Sequence, residues 1–396
     1  MRELVKKAKK IENEIVADRR FLHAHAETGF DLPQTLAYVF KTLQALGYTV
    51  RPCGKAGLVT TVGNFPDSAA DAVLLRADMD ALPVQEKSGL PFACKTGNMH
   101  ACGHDTHTAM LLGAARLLKT EEKALKRPVK LLFQAAEETL EGAKDVLKNG
   151  VLDGVSRAAM LHVLTGIPLA AGTLVVPEQG VGAPAADYFQ ITVRGKACHG
   201  SAPQNGVDAL TAAAHILLAL QELSARELPS NIPAVLTVGK MQAGVAGNAV
   251  PDFAELCGTL RAMDENLREY IKKRVREIVK KQAEVFRAKG SLRYTSGCPA
   301  LQNDGGMVAF TLDILRKTFA KTQVLSAAEL GGGVKNASGG SEDFAYIARE
   351  VPSVMIALAA GEKGKGYEYP LHHPKARFDE NALHVGAAAL AAFALV

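Results

Sequence analysis

Unbroken runs of apolar residues, rather than alternating ones, mark the first 180 residues of the chain. They occur at 72–78 (AVLLRAD), 129–133 (VKLLF) and 158–163 (AAMLHV). Because a strand that is apolar along most of its length must be buried on both faces, such runs are typical of a parallel sheet covered by helices. A helical pattern at 106–120 separates the first two runs, and we expect Asp105 to cap its N-terminus. The alternation predicts an α/β domain with a largely parallel sheet.

A different pattern begins near residue 187. It combines an alternating strand, a helix, two strands, a long helix closed by Gly290, and a last strand. These elements are predicted at 187–195, 207–223, 234–242, 254–262, 265–289 and 291–296. Their order, β-α-β-β-α-β, is that of a small ferredoxin-like module.

The α/β pattern returns near residue 298, with a helix expected at 306–319 and a buried strand at 352–360. A chain of 396 residues is too long for one compact core, so we expect two domains. The simplest arrangement is one α/β domain, formed by residues 1–186 and 298–396. The module at 187–297 would be inserted into it.

Composition excludes several classes of protein. Hydrophobic residues make up 48% and charged residues 22% of the chain, which is ordinary for a soluble globular protein and unlike a disordered one. The six cysteines have no framework spacing and form no CxxC pair, which favours a reducing, cytoplasmic setting. The charged start of the chain does not resemble a signal peptide, and the apolar stretch at 382–396 is too short to span a bilayer.

The net charge of +5 is small for this length, but basic residues cluster on the long predicted helix. One face of that helix is an apolar stripe, and the opposite face carries seven lysine and arginine residues at 272–274, 276, 280, 281 and 287. A nucleic-acid surface is one explanation, but no aromatic residues are interleaved and no recognised binding motif is present. We therefore interpret this face as solvated, and expect neither a nucleic-acid nor a membrane partner.

The segment MHACGHDTH (99–107) is the densest group of residues that can bind a metal. It places Cys102, His104, Asp105 and His107 in one loop that enters a helix. Thiolate and imidazole are good ligands for zinc and neighbouring metals. A buried thiol with capped polar neighbours is the structural alternative, but four such residues this close together favour a metal site.

Glu137 and Glu138 leave another predicted buried strand together. Adjacent side chains on an extended chain point to opposite sides, so one glutamate can bind a metal while the other faces a water molecule. An exposed pair that opens a helix is the alternative. Further candidates end or follow predicted parallel strands, whose carboxyl ends gather the sites of open α/β sheets. The sequence therefore predicts a metal-hydrolase site formed by Asp80, Cys102, His104, Glu137, Glu138 and His162.

Segments along nearly the whole chain resemble those of one protein family. They are RADMDALPV (76–84), HACGHDTH (100–107), FQAAEET (133–139), LHV (161–163), KACHGSAPQNGVDA (196–209), NAVPDFAELCGTLR (248–261), SGGSEDFAYI (338–347) and LHHPKARFDE (371–380). In this combination they resemble the M20 metallopeptidase and amidohydrolase family. The most similar branch is that of hippurate hydrolases, N-acyl-amino-acid amidohydrolases and plant auxin-conjugate hydrolases. The resemblance implies a catalytic α/β domain with an inserted lid domain that commonly mediates formation of a homodimer.

The resemblance also implies a role for individual residues. Two divalent metal ions would be held by Cys102, His104, Glu138, His162 and His372. Glu137 would be the general base, Asp80 would orient a liganding histidine, and His199 would stabilise the oxyanion. Asn248 and Arg261 would bind the substrate, since a guanidinium is suited to a carboxylate. The thiolate ligand favours zinc, with manganese, nickel or cobalt as alternatives.

Two positions require comment. His372 is chosen over its neighbour His373 because the family histidine lies two positions before a proline, here Pro374. Gln204 stands where the branch often has a second histidine, which concerns a lid contact rather than the metal chemistry.

The predicted function is hydrolysis of the amide bond of small N-acyl amino acids by a metal-activated water. A dipeptidase or carboxypeptidase on the same scaffold is the enzymatic alternative. A binding or scaffold protein without catalysis would tolerate Glu137→Gln in every assay. A nucleophilic mechanism through Cys102 would survive removal of metal and stop on alkylation of the thiol.

Overall fold

The computed structural model describes residues 2–63, 71–333 and 340–396. The chain divides into two compact units. The first comprises Met1–Gly182, Leu301–Gly339 and Asp343–Val396, and the second comprises Ala183–Ala300 and Gly340–Glu342.

Helices occur in both units. The α-helices of the described residues are α1 (Arg2–Lys10), α2 (Glu12–Ala24), α3 (Pro33–Ala45), α4 (His104–Thr120), α5 (Gly142–Lys148), α6 (Ala209–Glu222), α7 (Glu265–Val285), α8 (Gly305–Thr318), α9 (Ala345–Glu350) and α10 (Leu383–Ala394).

Strands also occur in both units. They are β1 (Arg51–Cys53), β2 (Gly57–Val62), β3 (Ala72–Asp78), β4 (Val129–Gln134), β5 (Val155–Leu164), β6 (Leu174–Val176), β7 (Gly180–Ala183), β8 (Ala185–Arg194), β9 (Cys198–His199), β10 (Ala234–Ala243), β11 (Ala249–Val250), β12 (Phe253–Ala262), β13 (Lys289–Cys298), β14 (Leu301–Asn303), β15 (Val324–Ser326) and β16 (Ser353–Ala359).

The first unit is built on an eight-stranded sheet in the order β1-β2-β4-β3-β5-β16-β6-β15. Its four central strands, β4, β3, β5 and β16, run parallel, and antiparallel pairs join them to β2 on one side and to β6 on the other. Every residue of β3 is buried, as its unbroken apolar run predicted. The α/β class and the dominance of parallel pairing are therefore confirmed.

Close packing fixes helix α4 against its neighbours in this unit. All but three of its 17 residues are buried. A Cβ atom at Gly113 would lie 2.8 Å from Ile15 Cδ1 of α2 and 2.9 Å from Ala387 Cβ of α10. Helices approach this closely only where a side chain is absent. Helix α4, whose first turn carries several candidate site residues, is thus packed closely against α2 and α10.

The second unit has a four-stranded antiparallel sheet in the order β10-β12-β8-β13. Buried apolar residues of α6 and α7 pack with those of the sheet in one hydrophobic cluster. Along the chain the main elements follow as β8, α6, β10, β12, α7 and β13, which is the β-α-β-β-α-β order.

The predicted end of the long helix is wrong. Helix α7 ends at Val285, and the left-handed conformation that follows belongs to Arg287, with φ of 62°. Gly290 instead lies in strand β13, where a Cβ atom would lie 2.5 Å from the Val279 carbonyl oxygen. The glycine therefore permits close contact between strand and helix rather than capping the helix.

Two observations concern the surroundings of the chain. All six cysteines are free thiols. In the part of the chain that the structure describes, every helix is too short or too polar to cross a membrane.

Candidate metal centre

The central parallel strands bring several candidate side chains to one edge of the sheet. Strand β3 leads to Asp80, its neighbour β4 leads to Glu137 and Glu138, and His162 lies near the end of β5. Because the carboxyl ends of parallel strands meet at the same edge, residues far apart in sequence become neighbours.

A left-handed glycine delivers two more side chains to this edge. Gly103 has φ of 90° and stands at the N-cap of α4, which begins at His104. A Cβ atom at Gly103 would lie 2.5 Å from Val163 Cγ2. The turn therefore requires glycine, and it directs Cys102 and His104 towards the strand ends.

Asp105 does not cap helix α4, contrary to the sequence prediction. It lies within the first turn and is fully buried, and its Oδ2 accepts hydrogen bonds from Arg19 Nε and His23 Nδ1, both at 2.8 Å. Both partners belong to α2. The carboxylate that the local sequence assigned to the helix end therefore binds two buried side chains of α2 instead.

Four side chains meet around Glu138, and together with it they form what we call the polar cluster: Cys102, His104, Glu138, His162 and His372. Glu138 Oε1 lies 3.9 Å from His104 Nε2 and 3.7 Å from His372 Nε2. Cys102 Sγ lies 3.6 Å from His162 Nε2. Within this cluster, Cys102, His104 and His162 form one group whose potential ligand atoms all lie within 4.8 Å of one another, and Cys102, Glu138 and His372 form a second. The structure thus brings together all the residues predicted as metal ligands.

Hydrogen bonds orient two imidazole rings of the polar cluster. His104 Nδ1 donates to the Asp80 carbonyl oxygen at 2.8 Å, and His162 Nδ1 donates to the Val163 carbonyl oxygen at 2.8 Å. In each ring this hydrogen bond engages Nδ1 and leaves Nε2 as the nitrogen that can bind a metal. Burial opposes protonation of His104, but the neighbouring Asp78 and Cys102 hold its pKa well above the usual value. A metal ion on Nε2 would therefore displace a proton.

His107, although part of the same motif, is not available to a metal. Its Nδ1 donates to Asp78 Oδ1 at 2.6 Å, and its Nε2 accepts the Val163 N–H at 2.9 Å. Burial lowers the pKa of His107 to about 4, although Asp78 opposes the effect. Both nitrogens of this neutral ring are used within the protein.

Asp80 holds the two glutamates through their backbone. Its Oδ1 accepts the Glu137 N–H at 3.0 Å and its Oδ2 accepts the Glu138 N–H at 3.1 Å. Ala136, immediately before the pair, and Leu140, just after it, have φ of 58° and 59°. Such conformations are strained for residues other than glycine and persist where the surroundings enforce them. The turn that presents the glutamates is therefore held from one side by Asp80 and bent at both ends.

The donor set fits a cation. His104 Nε2 and Glu138 Oε1 are buried, and neither has a hydrogen-bond partner among the described residues. Burial raises the pKa of Glu138 to about 7; nearby His104 opposes this rise, and Asp80 and Asp78 add to it. Polar atoms left unsatisfied at the meeting point of thiol, imidazole and carboxylate are what a divalent metal ion would satisfy.

The environment of Cys102 gives no support to a nucleophilic thiol. Burial raises the pKa of this thiol well above its usual value, and the nearby Glu138 raises it further. Reactive cysteines need the opposite, a setting that stabilises the thiolate. A metal ion would stabilise the thiolate as a ligand.

The candidate substrate residues lie in the second unit. His199 in β9 is exposed, and its Nδ1 lies 2.7 Å from Ser201 Oγ. Strand β9 pairs with β11 in a small antiparallel sheet, and the Gly200 N–H donates to the Asn248 carbonyl oxygen at 2.7 Å, so His199 and Asn248 lie close together at this sheet. Gln204 is exposed nearby in the chain.

Arg261 lies apart from that two-stranded sheet, on strand β12 of the same unit. Its Nη2 donates to the Tyr188 hydroxyl at 3.1 Å, and its guanidinium lies over the Tyr188 ring at 5.2 Å from the centroid. The guanidinium also donates to Thr259 Oγ1 and to the Leu260 carbonyl oxygen.

Sequence reasoning missed the buried charges that surround the cluster. Arg76 bridges Asp78 and Asp343, with both N···O distances at 2.6 Å. Arg76 and Asp343 are 267 positions apart, so no local pattern connects them. The one available signal was an arginine within a buried apolar strand, because such a charge requires partners.

Comparisons with known proteins identify the family. The model described as peptidase family M20/M25/M40 matches residues 74–396. An N-acetyl-L-cysteine deacetylase of Bacillus subtilis (strain 168) is 36% identical over 375 residues, covering 94% of this chain and 85% of that protein. Thermostable carboxypeptidase 2 of Saccharolobus solfataricus is 34% identical, covering 98% of this chain and 96% of that protein.

A solved structure agrees with these relatives. The YXEP protein of Bacillus subtilis, described as a dinuclear metal-binding peptidase from the M20 family, is 30% identical, with a TM-score of 0.78 and 98% coverage of both chains. The match of the family model over most of the chain and the relatives of similar length agree with the resemblance found in the motifs. The chain therefore belongs to peptidase family M20/M25/M40.

Proposed function

We propose that this protein is a metal-dependent amidohydrolase that removes the acyl group from N-acyl amino acids. The observation that carries the proposal is the meeting of Cys102, His104, His162 and His372 around Glu138, with Glu137 beside them. The family and the N-acetyl-L-cysteine deacetylase among its members support an amide substrate.

The polar cluster is proposed to hold two divalent metal ions, as the name of the YXEP structure says of that protein. The two ligand groups share Cys102 and differ in the histidines that they contain, which suits two neighbouring ions. Zinc is the first choice because thiolate and imidazole are soft or borderline ligands, and manganese, nickel or cobalt are alternatives. When bound, such ions polarise a carbonyl group and lower the pKa of a water molecule.

Glu137 is proposed to move the proton. Its Oε2 lies 3.9 Å from His104 Nε2, so the carboxylate borders the polar cluster. It would accept a proton from the attacking water and deliver it to the departing amine nitrogen. Asp80 would keep Glu137 and Glu138 in register through the two backbone hydrogen bonds described above.

The second unit is proposed to act as a lid and as the dimerisation domain, corresponding to the inserted module at 187–297. His199 would donate a hydrogen bond to the oxyanion, and Asn248 and Arg261 would bind the substrate. Arg261 is suited to this role because its guanidinium is held by Tyr188 yet only half-buried. A homodimer through this unit follows from the family resemblance.

The experiment is hydrolysis of N-acetyl, N-benzoyl and indole-acyl amino acids by chelator-treated protein, with zinc, manganese, nickel or cobalt added back. Metal-restored cleavage is expected, and Glu137→Gln should remove it while the metal content stays at two ions per chain. Free dipeptides and carboxypeptidase substrates belong in the same panel, because one relative is named as a carboxypeptidase. Cleavage of peptides alone would replace the amidohydrolase proposal with a peptidase, and activity without metal would contradict both.

A further inference from the structure

Asp343 is the centre of a buried charge network in the first unit. Its side chain is fully buried. Its Oδ1 accepts from Arg76 Nη2 at 2.6 Å, and its Oδ2 accepts the Ala143 N–H at 2.8 Å. Gln134 Nε2 lies 2.9 Å from both oxygens. Four donor contacts from three separate segments of chain thus fix one carboxylate.

The same residue touches the proposed general base through its backbone. The Asp343 N–H donates to Glu137 Oε1 at 3.3 Å. Because a side chain anchored on two strands holds Asp343 in place, the direction of this N–H is also fixed. A hydrogen bond from a fixed donor restricts where the Glu137 carboxylate can lie.

Arg76 extends the network to the other side of the site. Its Nη1 donates to Asp78 Oδ2 at 2.6 Å, and that oxygen lies 3.8 Å from His104 Nε2. One guanidinium therefore connects Asp343, next to the proposed base, with Asp78, next to the polar cluster. Such buried ion pairs contribute little net stability, since desolvation offsets their attraction. In this site the two ion pairs instead fix the positions of Asp78 and Asp343 relative to each other.

We propose that Asp343 is a positioning residue for Glu137, and that the Arg76 bridge keeps the base in register with the polar cluster. This inference rests on the proposed function, in which Glu137 is the base.

The test is Asp343→Asn in the full-length protein loaded with zinc. The amide keeps the size of the side chain but lacks the charge and one acceptor, so the backbone N–H is no longer held. A displacement on the order of 1 Å at a reacting group can lower the rate about 100-fold, so kcat should fall about 10- to 100-fold. KM should change less than about threefold, because Asp343 is not proposed to bind substrate. Two zinc ions per chain should remain bound.

A matched control separates positioning from loss of stability. Asp18 is also a buried aspartate paired with an arginine, with Arg116 Nη1 at 2.6 Å and Nη2 at 3.2 Å. Asp18→Asn removes the charge from this comparable buried pair and should leave kcat unchanged. If Asp343→Asn fails to fold, Gln134→Met serves as the second variant, since it removes the amide but keeps the Arg76–Asp343 pair. A smaller fall in kcat with unchanged metal content is then expected.

Crystal structures of the zinc-loaded wild type and of Asp343→Asn provide a readout besides activity. The Glu137 carboxylate should move or become disordered in the variant, while the polar cluster stays in place. Unchanged kcat with an unmoved Glu137 would overturn the proposal, as would loss of metal in parallel with activity. If the wild type binds two ions but cleaves no acyl amino acid or peptide, the proposed function fails, whereas the position of Glu137 still tests the role of Asp343.

Discussion

Replacing Glu138 with glutamine should stabilise the metal-free protein at alkaline pH. Burial raises the pKa of Glu138 from its ordinary 4.5 to about 7, with His104 opposing the rise and Asp80 and Asp78 reinforcing it. Between these two pH values the folded state keeps a proton that the unfolded state has released. The free energy of unfolding of the metal-free protein therefore falls as the pH rises from 4.5 to about 7, and the destabilisation is complete above that.

The magnitude follows from the two ionisation constants. A tenfold change in an ionisation constant corresponds to about 1.4 kcal/mol, so ionised Glu138 destabilises the metal-free fold by about 3 kcal/mol at pH 8. Glutamine resembles the protonated carboxyl group and avoids this cost. The melting temperature of metal-free Glu138→Gln should then exceed that of the wild type by roughly 4–6 °C at pH 8. At pH 5 the difference should shrink to less than about 1 kcal/mol.

Thermal unfolding can be followed by far-ultraviolet circular dichroism, since the chain has no tryptophan for fluorescence. With zinc bound, the wild type should have the higher melting temperature, because the variant lacks one of the zinc ligands and gains less stability from the ion. Glu141→Gln is the matched control: Glu141 pairs with Lys144 and its side chain is 41% exposed, so the melting temperature should hardly change. Metal-free Glu138→Gln that melts at or below the wild-type temperature at pH 8 would refute the reasoning.

Three further outcomes are expected. Gly103→Ala places a Cβ atom 2.5 Å from Val163 Cγ2 at a residue with φ of 90°. It should lower the free energy of unfolding by about 1–3 kcal/mol and reduce zinc retention in equilibrium dialysis. Unchanged zinc affinity would show that the turn does not position the polar cluster. His199→Ala should lower kcat about 100-fold with full metal content, as expected for one oxyanion donor, and equal loss of metal and activity would contradict that role. Arg261→Ala should raise KM at least about tenfold for substrates with a free carboxylate, and an equal effect on their esters would exclude a carboxylate clamp.

The elements that the sequence predicted well are those that local pattern determines. Strand β3 begins and ends where its mainly apolar run does, because burial on both faces selects apolar residues at most of its positions. The rule for parallel strands was enough to predict that Asp80, Glu137 and His162 would meet. The three antiparallel pairs of the main sheet were not predicted, since short strands such as β1 and β6 carry too few residues to indicate direction.

The wrong predictions share a physical cause. Asp105 and Gly290 are residue types that favour helix ends, and both were assigned by that preference. In the structure Arg19 and His23 recruit Asp105, and the close approach of Val279 requires Gly290. Tertiary contacts overrode local preference in both cases. The Arg76–Asp343 pair was not predicted at all, because its members lie 267 residues apart. Such partners become visible only when the strands are assembled.

The position of strand β16 has a consequence for synthesis of the chain. This strand, Ser353–Ala359, lies between β5 and β6 in the sheet, although it is translated about 180 residues after them. On the ribosome the sheet of the first unit therefore remains open at β5, with a strand edge that can pair wrongly. The elements of the second unit, by contrast, are contiguous in the chain and emerge earlier. We therefore expect the second unit to become compact before the sheet of the first unit can close. The part of the first unit that precedes it in the chain should then depend longest on chaperones.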